Sequence, residues 1–155
     1  MESSRGAIAH PQSTFHHVGF VVASIENSVQ GFLDPLQAEW DGTIFHDPNQ
    51  AVRVTFLRSR HAANPVLELV EPAGENSPVA PFLKRGGGLH HLCYEIDNLE
   101  DQLALSRAQG GLVVRPPLPA VAFAGRRIAW VYTKNKLLLE YLERQQSPLK
   151  NDLGA

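Results

Sequence analysis

Gly86-Gly87-Gly88-Leu89-His90-His91-Leu92-Cys93-Tyr94-Glu95-Ile96 is the stretch on which the reading of this chain turns. Three consecutive glycines have the largest backbone entropy to lose and no side chain to bury, so they mark a hinge. The apolar-rich run after them, closed by Asp97-Asn98, predicts a buried strand. Side chains alternate along a strand, so one of His90 and His91 can face a pocket while the other looks away.

The same arrangement occurs twice. HHVGFVVASIEN at 16–27 aligns with HHLCYEIDNLED at 90–101, and Leu67-Glu68-Leu69 aligns with Leu139-Glu140-Tyr141. Between these anchors the first half predicts a strand over 15–23 and a helix capped by Ser24. That helix carries Ile25, Val29, Phe32 and Leu33 and is ended by Pro35. Strands follow over 40–45, 52–57 and 65–70, the first two separated by the turn-like Asp47-Pro48-Asn49. Ser77-Pro78 opens a short connecting helix with proline at its first position. In the second half Asn98 caps a helix that stops at Gly110-Gly111, and strands are expected over 112–114, 127–132 and 137–142. The order is a duplicated βαβββ unit. It divides the chain into an arm at 1–13, a first module at 14–73, a linker with a short helix at 74–87, a second module at 88–144 and a tail at 145–155.

The bulk properties narrow the function classes. The chain has 155 residues, 43% of them apolar, enough for one domain or one fused pair of half-domains. A net charge of -2 and a pI near 6.4 offer no basic surface to nucleic acid or anionic membrane. A single cysteine excludes an internal disulfide framework and suits a reducing compartment. With no signal-peptide pattern and no apolar run of membrane-spanning length, the expectation is a soluble, cytoplasmic protein.

Each half places a histidine in its first strand and a glutamate in its last. Glu68 stands among Val66, Leu67, Leu69 and Val70, and Glu140 among Leu137, Leu138, Leu139, Tyr141 and Leu142. A carboxylate in an apolar strand is costly to bury unless it is paired, hydrogen-bonded or bound to a metal. Imidazole and carboxylate suit a borderline divalent ion such as Zn, Ni, Co, Fe or Mn, and two of each leave room for a substrate oxygen. His17 and His91 are the inward members of the doublets, and His16 and His90 face away. Cys93, two residues from His91, reads as a small buried hydrophobe, and His46 and His61 as solvated loop residues.

These residues resemble the vicinal oxygen chelate superfamily, the glyoxalase and bleomycin-resistance fold, and within it the methylmalonyl-CoA epimerases. The stretches that carry the resemblance are HHVGF at 16–20, LELVEP at 67–72, NSPVAPFLKRGGGLHHLCYEIDNLED at 76–101 and LLLEYLE at 137–143. It implies an α+β fold in which two tandem βαβββ modules form a half-open, barrel-like mixed sheet around one divalent metal ion. The ligands then fall on His17, Glu68, His91 and Glu140. The implied activity is that of an epimerase or isomerase, by α-proton abstraction and a metal-stabilised enolate. Possible partners are an acyl-CoA or another acyl thioester and, for assembly, a second copy of the chain. The epimerases use a further glutamate on the third strand, where this chain has Val54. Glu140 is therefore expected as the principal base, with Glu68 as the second. Arg53, Trp130, Tyr132 and Lys134 are candidate substrate contacts. The alternatives are a glyoxalase-type lyase, a ring-cleaving dioxygenase, and a non-catalytic small-molecule binder of the drug-resistance type.

Overall fold

The computed structural model describes residues 12–61 and 65–146, without the side chain of Val66. The expected arm and tail lie almost wholly outside the described residues. Nine strands form one mixed sheet: β1 (Ser13–Val21), β2 (Ala38–Glu39), β3 (Phe45–Asp47), β4 (Val52–Ser59), β5 (Pro65–Pro72), β6 (Gly88–Ile96), β7 (Leu112–Pro119), β8 (Arg127–Tyr132) and β9 (Leu138–Glu143). The helices are α1 (Ile25–Ser28), α2 (Gln30–Leu36), α3 (Ala80–Lys84) and α4 (Leu99–Ala108). Strand order is β2-β4-β5-β1-β6-β9-β8-β7, with β3 also on β4. In each half the first strand runs parallel to the last, β1 with β5 and β6 with β9. The halves join through the antiparallel β1–β6 ladder at the centre. The architecture is thus α+β with an open mixed sheet, as the sequence predicts.

Alternation along the strands sorts the core into three clusters. Val21, Val52, Val54, Phe56, Val70, Cys93, Ile128 and Leu142 meet on the concave face. On the opposite face Ile25 and Val29 cover Leu57, Leu67 and Leu69 in the first half. Leu99 and Leu103 cover Ile96, Ala129, Val131 and Tyr141 in the second. Each helix therefore closes the back of its own half and leaves the concave face to the site.

The triglycine is a hinge in backbone terms, since Gly86, Gly87 and Gly88 all have positive φ (117°, 67° and 102°). Such values favour glycine. Ser24 caps α1 by accepting from Asn27 N, and Asn98 caps α4 by accepting from Asp101 N.

Several local expectations differ from the structure. The strand over 40–45 is instead a loop between β2 and β3. There Asp41 accepts from Thr43 N, and the Trp40 indole donates to Thr55, so side chains take the bonds a ladder would have used. The first helix breaks into α1 and α2, and Pro35 lies inside α2. The turn out of that helix is made two residues later by Gln37 at φ 47°. Pro78 precedes the linker helix, which begins at Ala80. β7 runs on to Pro119 despite Pro116 and Pro117 because it is an edge strand with register shifts against β8, where a missing N–H donor costs little.

Candidate active site

Sheet register explains how the four singled-out side chains meet. One row across the sheet reads Phe56, Glu68, Gly19, His91, and a second, two residues along, reads His17, Cys93, Glu140, Trp130. Each row combines the glutamate of one half with the histidine of the other. All four point to the concave face and are buried. His17 Nε2 lies 3.3 Å from Glu68 Oε2 and 3.8 Å from Glu140 Oε1. His91 Nε2 is 3.2 Å from Glu68 Oε2 and 3.3 Å from His17 Nε2. His17, Glu68 and His91 each offer an atom within 4.8 Å of the others, a spacing that can hold a metal ion.

The donor set fits a divalent cation. Two imidazole nitrogens converge with two carboxylates, and among the described residues the buried Glu140 Oε1 has no hydrogen-bond partner. An orphaned anionic oxygen inside a protein calls for a positive charge. Electrostatics set the two glutamates apart. Burial works against ionised Glu68, but the His17 charge and the bonds from both imidazoles win and hold it far below the usual carboxylate range. Glu140 is pushed upward, by burial first and then by the charge of Glu68. Burial likewise opposes protonation of His17, yet Glu68 outweighs it and the net direction is upward. Burial, followed by the Glu140 charge, lifts the Cys93 thiol well above its ordinary value.

Three of the four side chains border a cavity of about 310 Å³, and His17 lies behind them, fully buried. Glu68, His91 and Glu140 line it together with Val52, Val54, Val70, Ile128, Leu138 and Trp130. Val54, only 5% exposed, puts an apolar wall on the strand where a carboxylate would be needed for a second acid/base pair.

The substrate contacts expected from sequence divide. Trp130 lines the cavity, and its buried Nε1 donor has no partner among the described residues. Arg53 does not line it. Val52 and Val54 face the cavity, so Arg53 between them points to the back of the sheet, where it pairs with Glu26 and Glu71. Tyr132 is 42% exposed at the far end of β8, opposite Leu112 and Leu138, and lies outside the cavity wall. Lys134 is exposed in the turn before β9 and is also outside it.

Sequence reasoning passed over two residues that the fold brings to the cavity. Arg115 lines it from β7, and its one recorded bond goes to the Gln50 amide oxygen, 3.2 Å away. Asp47 accepts from Asn49 N and Gln50 N, and through its other oxygen from Val121 N, so it ties the β3–β4 turn to the turn carrying Phe123. The turn-forming Asp-Pro-Asn was the available signal for Asp47. Nothing local marked Arg115, because an edge-strand arginine usually faces water.

His16 and His90 correct a further expectation. They do not simply face away, because each occupies a break in strand register and its Nδ1 lies 2.8 or 3.0 Å from Nδ1 of the neighbouring His17 or His91. Burial first, and then the adjacent imidazole, lowers both pKa values to about 4, so both rings are neutral at pH 7.

The fold and site together define a class. The chain belongs to the glyoxalase/bleomycin resistance protein/dioxygenase superfamily, whose family model matches residues 16–130. Among individual proteins, it is 29% identical over 122 residues to the ethylmalonyl-CoA/methylmalonyl-CoA epimerase of Cereibacter sphaeroides, covering 77% of this chain and 88% of the relative. It is 36% identical over 86 residues to the mitochondrial methylmalonyl-CoA epimerase of Bos taurus. That match covers 54% of this chain and only 47% of the bovine one. The methylmalonyl-CoA epimerase structure from Mycobacterium tuberculosis superposes with a TM-score of 0.72 at 26% identity, covering 85% of this chain and 88% of that one.

Proposed function

We propose that this chain is a divalent-metal-dependent epimerase or isomerase that moves a proton at the carbon next to a carbonyl, with an acyl thioester as its substrate class. The observation that carries the reading is the convergence of two buried imidazoles and two buried carboxylates at an apolar cavity, and the opposite directions in which their surroundings push the two carboxyls support it. Separated values of this kind assign distinct roles to like groups. Glu68, kept ionised, serves mainly as a ligand and as the second proton-accepting group. Glu140, whose proton affinity is raised, serves as the principal base. His17, Glu68, His91 and Glu140 would hold the metal. A divalent ion there would place positive charge beside the substrate carbonyl and so acidify the adjacent C–H.

The cavity is sized for an acyl group, and the coenzyme part of a thioester would extend beyond it. Arg115, whose one recorded bond is to a neutral amide, would pair with an anionic group of the substrate. Apolar Val52, Val54, Val70 and Ile128 would contact the α-substituent. The stretches 14–73 and 88–144 are proposed as the duplicated modules, joined by the 74–87 linker. A homodimer is the proposed assembly, since edge strand β7 leaves Leu112, Val114 and Leu118 exposed. Among the described residues no helix is long and apolar enough to cross a membrane.

The test is α-proton exchange in deuterated water, with metal-loaded protein and methylmalonyl-CoA or ethylmalonyl-CoA. Deuterium entering the α-position supports the reading. Tight binding of both thioesters without exchange would assign the chain to the non-catalytic binders of the fold.

A further inference from the structure

Both proposed ligand histidines are the second residue of a His-His doublet, and the first residue of each doublet interrupts the β1–β6 ladder. Phe15 pairs with Tyr94 and His17 with Cys93, which leaves His16 as an extra residue on β1. Gly19 pairs with His91 and Phe20 with Leu89, which leaves His90 as an extra residue on β6. A β-bulge of this kind re-aims a side chain and can bring two successive residues toward one face. Here it sets His16 and His17 edge-to-face at 75°, with Nδ1 atoms 2.8 Å apart, and His90 and His91 at 87°, with Nδ1 atoms 3.0 Å apart.

A nitrogen–nitrogen contact of this length holds one proton. Nε2 of His17 and His91 points to the carboxylate cluster, so a cation there requires that atom's lone pair and leaves the proton on Nδ1. Among the described residues, the hydrogen-bond acceptor for that Nδ1–H is Nδ1 of the doublet partner. From this geometry we infer that His16 and His90 are positioning residues: each accepts the Nδ1–H of its neighbour and so fixes the tautomer and ring angle that turn Nε2 toward the metal site. Outer partners of this sort orient metal-binding imidazoles in general. The two are not equivalent. His90 also lines the main cavity, against Phe82 and Trp130, whereas His16 borders a separate cleft with Phe45, Phe56, Arg58 and Phe123.

The inference rests on the ligand assignment made above, and the experiment separates the two. Cobalt(II) binding to metal-stripped protein is measured by calorimetry for wild type, His17→Ala, His91→Ala, and the Phe and Asn variants at positions 16 and 90. Loss of binding in both Ala variants supports the ligand assignment; unchanged binding would overturn it. With the ligands established, His16→Phe and His90→Phe are expected to weaken cobalt binding about 10–100-fold. The Asn variants, whose side-chain oxygen can accept in place of Nδ1, should recover most of that loss. His90→Phe should also raise KM, because His90 lines the main cavity. Wild-type affinity in both Phe variants would overturn the positioning role. So would long-range nitrogen NMR of the zinc-loaded protein if it placed a proton on Nδ1 of His16 or His90, since a purely structural role does not dictate the tautomer.

Discussion

The two halves of the molecule bring the same side chains to the centre and yet leave them in different states. Glu68 is met by both imidazoles, at 3.3 and 3.2 Å, while Glu140 stands 3.8 Å from His17 with one oxygen unpartnered. Register locates the cause in one pair of matching positions. Gly19 lies between Glu68 and His91 in one row, and Cys93 lies between Glu140 and His17 in the other. Without a side chain at position 19, the His91 ring lies over the strand and reaches Glu68; a Cβ built there would fall inside that ring. In the second row a buried thiol occupies the equivalent space. The surroundings differ too. Phe123 lies near His16, His17 and Phe56 and stands between the main cavity, onto which Glu68, His91 and Glu140 open, and the cleft bordered by His16. The two halves thus supply matching imidazoles and carboxylates, and a glycine–cysteine difference gives the two glutamates unequal surroundings.

The largest expected effect breaks the inequality of the two glutamates. Glu140→Gln should reduce α-deuterium exchange by about 10²–10⁴-fold, the usual worth of a positioned base. The pH dependence has a definite sign. A raised carboxyl pKa in the folded state gives stability that is full below the unfolded value and is lost as pH rises through the folded one. Metal-stripped wild type should therefore lose stability against Glu140→Gln as pH climbs above the ordinary carboxylate range, as read from melting curves. Equal pH profiles would remove the basis for treating the two carboxylates differently.

Next in size are the matching positions themselves. Gly19→Ala should displace the His91 ring and cost about 1–3 kcal/mol, an overpacking penalty, along with much of the metal affinity. Cys93→Gly should let His17 approach Glu140 and lower its pKa toward that of Glu68, which titration by NMR or infrared difference spectroscopy would read. Arg115→Gln comes third: KM for an acidic acyl thioester should rise about tenfold with kcat little changed, since one charge-assisted contact is lost. The smallest effect belongs to Arg53→Met. The pair with Glu26 lies on the solvent-screened back of the sheet, so exchange rate and KM should stay at wild-type values.

The duplication was legible in sequence because repeated doublets and repeated Leu-Glu pairs are local patterns, and so was the convergence of His17, Glu68, His91 and Glu140. The substrate wall was less legible. Arg53 and Arg115 look alike in sequence, each an arginine flanked by apolar residues. Only the pleat and the β7 register send one to the back and the other to the cavity. The bulges at His16 and His90 were hidden for a similar reason, since a one-residue slip is a property of the pair of strands and not of either alone. The loop at 40–44 reflects side-chain bonds of Asp41 and Trp40 that compete with regular structure.

The central β1–β6 ladder has one further consequence, for the order in which the molecule is made. Ser13 pairs with Ile96 and Val21 with Gly88, so this joint links segments separated by most of the first half. Closing so long a loop carries an entropy cost that only non-local contacts repay, and such contacts form late. A growing chain that has exposed only its first half carries one inward imidazole and one carboxylate, both still in water. The full cluster comes into being only when β6 docks on β1. Capture of a cation by this cluster would therefore be coupled to completion of the fold, and a truncated or misassembled chain would compete poorly for the ion.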